Sequence, residues 1–546
     1  MYDILITNAT IVDGTGRKRY KGDVGIKKEI IVEIGELSGK SAHKTIDAKG
    51  LIVAPGFVDI LNHSDSYLTL LKSPKLSSLA AQGITTILVG HCGSSLAPLV
   101  SANVEKAMNR WAQLFRNVIL PPKQSDTALK SVRKWADTTG VNINWVTVAD
   151  YLSELKKMGM GVNVATLIGH STIRRTLVQD EQRELSRDEL DHLKQLVADS
   201  MQDGAHGLSF GLQYTHAYYV QKKELVELAQ VTREYGGKCY FHLRDEEQGV
   251  AESVREVIDI AKQAEVGVEI VHMQTREKFS SEFESALNEI EHASNEGVEI
   301  NFDFFPYKTS WTVLYTCLPE WAYRGSREDL LRRLSEKKSY DKIAEELSET
   351  DKPFDDFVVS YAPYNKAYVG RRIGDIAQIR GIPVENSVLD VLKACKGHVI
   401  CFEPKKTEKI IEESIEDPLS IVASGGAGYD QAIVHEGQLV HPRCFGTFPR
   451  FIRKYVRESE LLTLERAIQK ITSIPALKIG FFDRGFIHES MKADIVIFDY
   501  KKIRDRATLR NPFLYPEGIK DVIVNGTFVV EEGSLTNNRP GAVLKK

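Results

Sequence analysis

A parallel α/β barrel of the (β/α)8 type, carrying a small β-sandwich, is the fold that this 546-residue sequence predicts. Three observations lead there. Across roughly residues 56–480, short apolar runs alternate with amphipathic stretches, the pattern of βα units on a parallel sheet. Both ends of the chain alternate apolar and polar residues in the strand manner. The length also exceeds what one globular core usually holds, which favours a large catalytic domain plus a second module.

In chain order, the amino end reads DILITNATIVDG, DVGIKKEIIVEIG and KTIDAKGLIVAPG, each closed by a glycine turn. The carboxyl end repeats the style in ADIVIFDY and DVIVNGTFVVEEG, so residues 1–55 and 480–546 are read as one discontinuous sandwich. Between them, residues 56–479 supply eight candidate strands: 57–63, 85–92, 163–170, 205–211, 238–242, 268–272, 299–307 and 420–426. Helices are legible in RDELDHLKQLVADSMQDG and KKELVELAQVTREYGG, with apolar positions three and four apart and a closing glycine. Two connections are too long for bare βα loops. One covers about 93–160; the other, about 310–418, has charged helical text and reads as an inserted lid-like region.

Composition narrows the function. Lys plus Arg number 71 against 75 Asp plus Glu, a net charge of −4 that gives no support to nucleic-acid or membrane-surface binding. No apolar run approaches the roughly 18 residues of a membrane span, and MYDILITNATIVDG lacks the pattern of a secretory leader. Six cysteines without CxxC spacing do not resemble a disulfide scaffold. A cytoplasmic protein with reduced thiols and a small-molecule substrate is expected; association into a homo-oligomer is left open.

The chemistry is suggested by where the polar residues fall. In such a barrel the carboxyl ends of the strands converge on the mouth. Here those ends carry His63, His91 and Cys92, His170, His242, His272 and Tyr307. Any one histidine alone is more often structural, but their joint occurrence is not. Cys92, His242 and His272, from three strands, could hold one Zn2+ with a position left for water, and His63 could be a fourth ligand or stand behind the site.

At these residues the resemblance becomes specific. APGFVDILNHSD, TTILVGHCGSSLAPL, NVATLIGHSTIR, GLSFGLQY, FHLRDE, HPRCFGTFPRF and the tail from Ile519 resemble the D-aminoacylase (N-acyl-D-amino-acid deacylase) branch of the amidohydrolase superfamily, over nearly the whole chain. The resemblance implies a zinc-dependent TIM-barrel hydrolase of amide or cyclic-amide C–N bonds. It places the tight metal site at Cys92, His242 and His272, the substrate carboxylate on Arg443, and carbonyl polarisation and substrate contact on Tyr307.

The chain also departs from the family pattern. The HxH pair of the first strand reads Leu61-Asn62-His63, and the Ser-Asp-Gly of the eighth reads Ser424-Gly425-Gly426. His91 stands for the family's Asn and Gln274 for its Lys. The missing Asp is the family's general base, and losing a positioned base typically costs about 10²- to 10⁴-fold in rate. A single zinc is therefore expected, with Asp430 or His435 on the longer loop after the eighth strand, or His63, as the replacement base. The same losses also fit a changed reaction or a non-catalytic binding protein.

Overall fold

In the computed structural model, residues 1–99, 141, 143–179, 181–214, 217–431 and 438–546 are described. Five amino-terminal strands come first: β1 (Tyr2–Ile11), β2 (Tyr20–Lys27), β3 (Ile30–Gly35), β4 (Ala42–Asp47) and β5 (Ile52–Pro55). The barrel strands are β6 (Phe57–Asp59), β7 (Ile84–Val89), β8 (Asn163–Thr166) with its continuation β9 (Ile168–Gly169), β10 (Gly207–Gly211), β11 (Lys238–His242), β12 (Val268–Ile270) and β13 (Ile300–Phe304). An inserted module brings β14 (Thr309–Val313), β15 (Val358–Tyr361) and β16 (Ile400–Pro404) before the last barrel strand, β17 (Ser420–Val422). The chain ends with β18 (Ile495–Phe498), β19 (Ile519–Val524), β20 (Thr527–Glu531) and β21 (Ser534–Leu535).

Each of the eight barrel strands overlaps the apolar run that suggested it, β7 beginning one residue before its run. They are buried on both faces, polar residues such as Thr85, Thr86, Asn301 and Asp303 included. All neighbouring pairs run parallel. The ring closes where the ends of the first and eighth strands meet: the Gly425 N–H donates to Leu61 O (3.0 Å) and the His63 N–H to Gly426 O (2.7 Å). Leu61 itself is buried in the barrel interior with Val58, Leu88, Tyr240 and Val271.

Helices cover the outside, and their starts are legible in the sequence. Ser186 caps the helix Arg187–Gln202 in a reciprocal box with Glu189, and Gly204 turns the chain out at φ 115°. Both termini build one nine-stranded sheet in the order β21-β20-β19-β18-β5-β1-β2-β3, with β4 on β1. Phe57 joins this sheet to the barrel by packing on Phe448 and Phe498, at centroid distances of 5.6 and 6.4 Å.

The inserted module has its own antiparallel sheet, β14-β16-β15, and its own apolar core around Leu314, Leu334, Phe357, Val388 and Leu392. Its strands end at Pro404, earlier than the residue 418 read from charge, because the helix Glu408–Glu416 turns its apolar side inward and buries Ile410, Ile411 and Ile415 in the main core. Most of the other long connection, residues 100–140 and 142, lies outside the described residues. Among the described residues no helix is long and apolar enough to cross a membrane.

A buried polar knot locks sheet to barrel. Asp494 accepts from Arg484 Nη1 (2.7 Å), from Asn163 Nδ2 (2.9 Å) and from the Asn525 N–H (2.7 Å), while Asn525 Nδ2 donates to Asn163 Oδ1 (2.7 Å). Arg484→Met would leave the Asp494 carboxylate buried without its cation, at a cost of roughly 3–5 kcal/mol. A lowered denaturant midpoint is expected; an unchanged midpoint would contradict the role given to the pair.

Candidate metal centre and cavity

Three strand ends deliver three donors to one point. Cys92 lies three residues past β7 in a tight turn, with φ 55°, and His272 two residues past β12 with φ 42°. Such left-handed backbone is uncommon for these residue types and clusters at functional sites. The turn at Cys92 is held by the Gly93 N–H donating to Ser209 Oγ (3.1 Å), and that at His272 by its own N–H donating to Asp303 Oδ1 (2.8 Å). Gly211 is required beside them, since a Cβ there would collide with the carbonyl oxygen of Cys92.

His272 Nε2 lies 3.4 Å from Cys92 Sγ and 2.8 Å from His242 Nδ1, and one donor atom from each of the three residues lies within 4.8 Å of the others. Each opposite nitrogen faces a polar oxygen: His242 Nε2 bonds Gln213 Oε1 (3.0 Å), and His272 Nδ1 lies at ion-pair distance, 3.0 Å, from Glu246 Oε1 without the alignment of a hydrogen bond. This is the outer support that ligand imidazoles ordinarily carry, and it turns the free nitrogens inward. A tetrahedral zinc separates S and N ligands by about 3.5 Å and two N ligands by about 3.3 Å; the Cys92–His272 separation matches the first, and the two imidazole nitrogens, at 2.8 Å, would part slightly to hold such an ion.

The electrostatics agree with a cation at this point. Burial, with Asp303 and Glu246 nearby, pushes the Cys92 thiol well above its usual range, so a thiolate at this depth calls for a positive charge beside it. Burial and the neighbouring His272 push His242 down to about 3, leaving a neutral imidazole able to donate a lone pair. At Glu246 burial works upward, but the Lys405 ammonium and His272 outweigh it and hold the carboxyl well below its usual range.

The donors open into a cavity of about 310 Å³ bordered by His63, His91, Tyr67, Tyr214, Trp311 and Arg443. Tyr67, from the barrel, stacks on Trp311, from the inserted module, at 4.7 Å and 13°, so the module forms one wall. Arg443 is buried, with its Cζ 4.6 Å from the Phe305 ring centroid, and makes no ion pair with the described residues. Gly425 explains its position. A Cβ on Gly425 would stand 3.5 Å from Arg443 Cζ, so the guanidinium lies where a side chain at the eighth strand would point.

Several expected roles are redistributed by these positions. His63 lines the cavity but stands apart from the three-donor cluster, its ring 6.2 Å from that of His91. Tyr307 is absent from the lining: its ring is buried and packs against Arg450 (4.7 Å) and His441 (5.1 Å). The geometry thus takes it out of carbonyl polarisation. Asp430 also lies off the cavity, toward Tyr515, and His435 falls outside the described residues. Gln213, Glu246 and Lys405 were missed. The first two stand beside recognised motifs, in GLQY and four residues after His242, whereas nothing in the sequence brings Lys405 to the site.

With this geometry established, comparison with known proteins gives the class. The model of an amidohydrolase family matches residues 44–336 and 440–530, and the chain belongs to that family. Within it the likeness runs to the D-aminoacylase branch. N-acyl-D-glutamate deacylase of Alcaligenes xylosoxydans xylosoxydans is 30% identical, over 100% of this chain and 96% of the relative. The crystal structure of N-acyl-D-glutamate deacylase from Bordetella bronchiseptica, complexed with zinc and a phosphonate inhibitor, superposes with a TM-score of 0.81 at 28% identity, covering 100% of both chains. A D-aminoacylase structure described in terms of a binuclear centre, one-metal activation and second-metal attenuation gives 0.80 at 27% identity, again over 100% of both chains.

Arg443→Met removes the guanidinium that lies on Phe305, so binding of an N-acetylated amino acid by titration calorimetry is expected to weaken about tenfold or more, a loss of at least ~1.4 kcal/mol. Undiminished binding would show that Arg443 is not the carboxylate contact.

Proposed function

We propose that the protein hydrolyses the amide bond of an N-acyl-D-amino acid, using one zinc ion held by Cys92, His242 and His272. The observation that carries this reading is the convergence of one thiol and two imidazoles on a cavity that also holds a buried arginine with no ion pair among the described residues. Leu61 cannot bind a metal and Gly425 offers no carboxylate, so the residues that would complete a second metal position are lacking.

A zinc ion at the three donors supplies Lewis acidity for the substrate carbonyl and for the attacking water. Arg443 holds the substrate carboxylate through its planar fork, desolvated against Phe305, and thereby sets which bond faces the donors. Trp311 and Tyr67 close the cavity against bulk water. His63 takes the water's proton and returns it to the leaving amine. The role rests on position: His63 is the one member of the three expected replacement bases that lines the cavity among the described residues, while burial keeps its imidazole neutral at rest, well below the usual histidine range.

A second reading, a family member that binds acyl amino acids without turning them over, is favoured by the same Gly425. The two part experimentally. Protein purified without chelator is expected to carry about one zinc per chain, lost in Cys92→Ala; a metal-free wild type defeats the metal reading. Amine release from a panel of N-acyl-D-amino acids is expected in the wild type, with kcat reduced roughly 10²- to 10⁴-fold in His63→Ala at little change in KM. Zinc and ligand binding with no amine released would select the second reading.

A further inference from the structure

The inserted module reaches the metal centre by a continuous line of buried polar contacts. Lys405, the residue after β16, places its Nζ 2.6 Å from Glu246 Oε2, and Glu246 Oε1 lies 3.0 Å from His272 Nδ1. Gln274 Nε2 donates to the same Glu246 oxygen at 3.0 Å, and Ser310 Oγ, on β14, donates to Gln274 Oε1 at 2.5 Å. Lys405 and Glu246 are 7% and 5% exposed, so neither charge is screened by water and each depends on the other. The lysine cannot drift, because the Lys405 and Lys406 N–H groups both donate to Lys308 O (2.9 Å each), where the module leaves the barrel.

We propose that Lys405 is a positioning residue for the metal centre: through Glu246 it fixes the imidazole of His272, and so makes the affinity of the three donors for a divalent cation depend on docking of the inserted module. This rests on the reading that Cys92, His242 and His272 hold such an ion. Without the ammonium, Glu246 would be a buried carboxylate whose remaining fixed partner, Gln274, is neutral. Its hold on His272 Nδ1 would loosen, and with it the aim of Nε2 between Cys92 Sγ and His242 Nδ1.

One residue along the chain lies an internal control. Glu247 also takes a lysine from the module, Lys352 at 2.8 Å, but its other side meets Arg276 (2.8 Å) and reaches no donor. Both pairs tie the module to the barrel, and only one ends on a ligand. A purely structural tie predicts equal effects on metal binding when either is cut.

The experiment measures zinc affinity of the full-length protein by competition with a chromophoric chelator. Lys405→Met is expected to weaken zinc binding roughly 10- to 100-fold. Lys405→Arg and Lys352→Met should stay near the wild type, and the double change Lys405→Met with Gln274→Lys should recover affinity, because a lysine at 274 can bring its ammonium to the same carboxylate. Lys405→Gln gives the same test if the methionine variant does not fold. Tight zinc binding in the wild type with unchanged affinity in Lys405→Met or Lys405→Gln overturns the inference alone, as does equal weakening in Lys352→Met. A wild type that takes up no zinc overturns the metal reading and the inference with it.

Discussion

The site depends on the pairing of the first and eighth barrel strands. Where Leu61 and His63 exchange backbone hydrogen bonds with Gly425 and Gly426, the sheet becomes a closed ring, and strand ends far apart in sequence share one mouth. Asp59 reinforces the seam, accepting from the Ser424 N–H (2.8 Å) and hydroxyl (2.5 Å). His242 and His272 come from the paired strands β11 and β12, and Cys92 from the end of β7.

At the same seam the chain carries the apolar residues Leu61 and Gly425. Leu61 fills the barrel interior, and Gly425 leaves room for the Arg443 guanidinium. A fixed cation beside His63 disfavours further positive charge there: its field acts with burial to hold the His63 imidazole neutral. The cavity thus carries both the three clustered donors and the Arg443 guanidinium.

The inserted module is part of this arrangement, not a cover laid over it. Its core is separate from that of the barrel, yet Trp311 forms a wall of the cavity and Lys405 and Ser310 enter the polar network under His272. Buried charges make such a contact exacting, because each is costly unless its partner is in place. Docking of the module and order at the metal centre are thus tied by the same few atoms.

The barrel and the three donors were legible in the sequence because they follow from short-range rules. Buried parallel strands must be apolar runs, and residues at their carboxyl ends must converge, so Cys92, His242 and His272 could be grouped from text alone. Those rules stop at the strand's end. Tyr307 and Asp430 lie beyond the ends of β13 and β17, where strand pattern no longer says where a side chain goes, and neither lines the cavity. Lys405 meets Glu246 across a separation of 159 residues, a contact that no periodicity encodes. The sequence by itself determined the barrel, the donor set and the missing Asp. Only the tertiary structure decided that Arg443 stands by Gly425 and that Lys405 braces His272, because both depend on where separate elements pack and not on the pattern within any one of them.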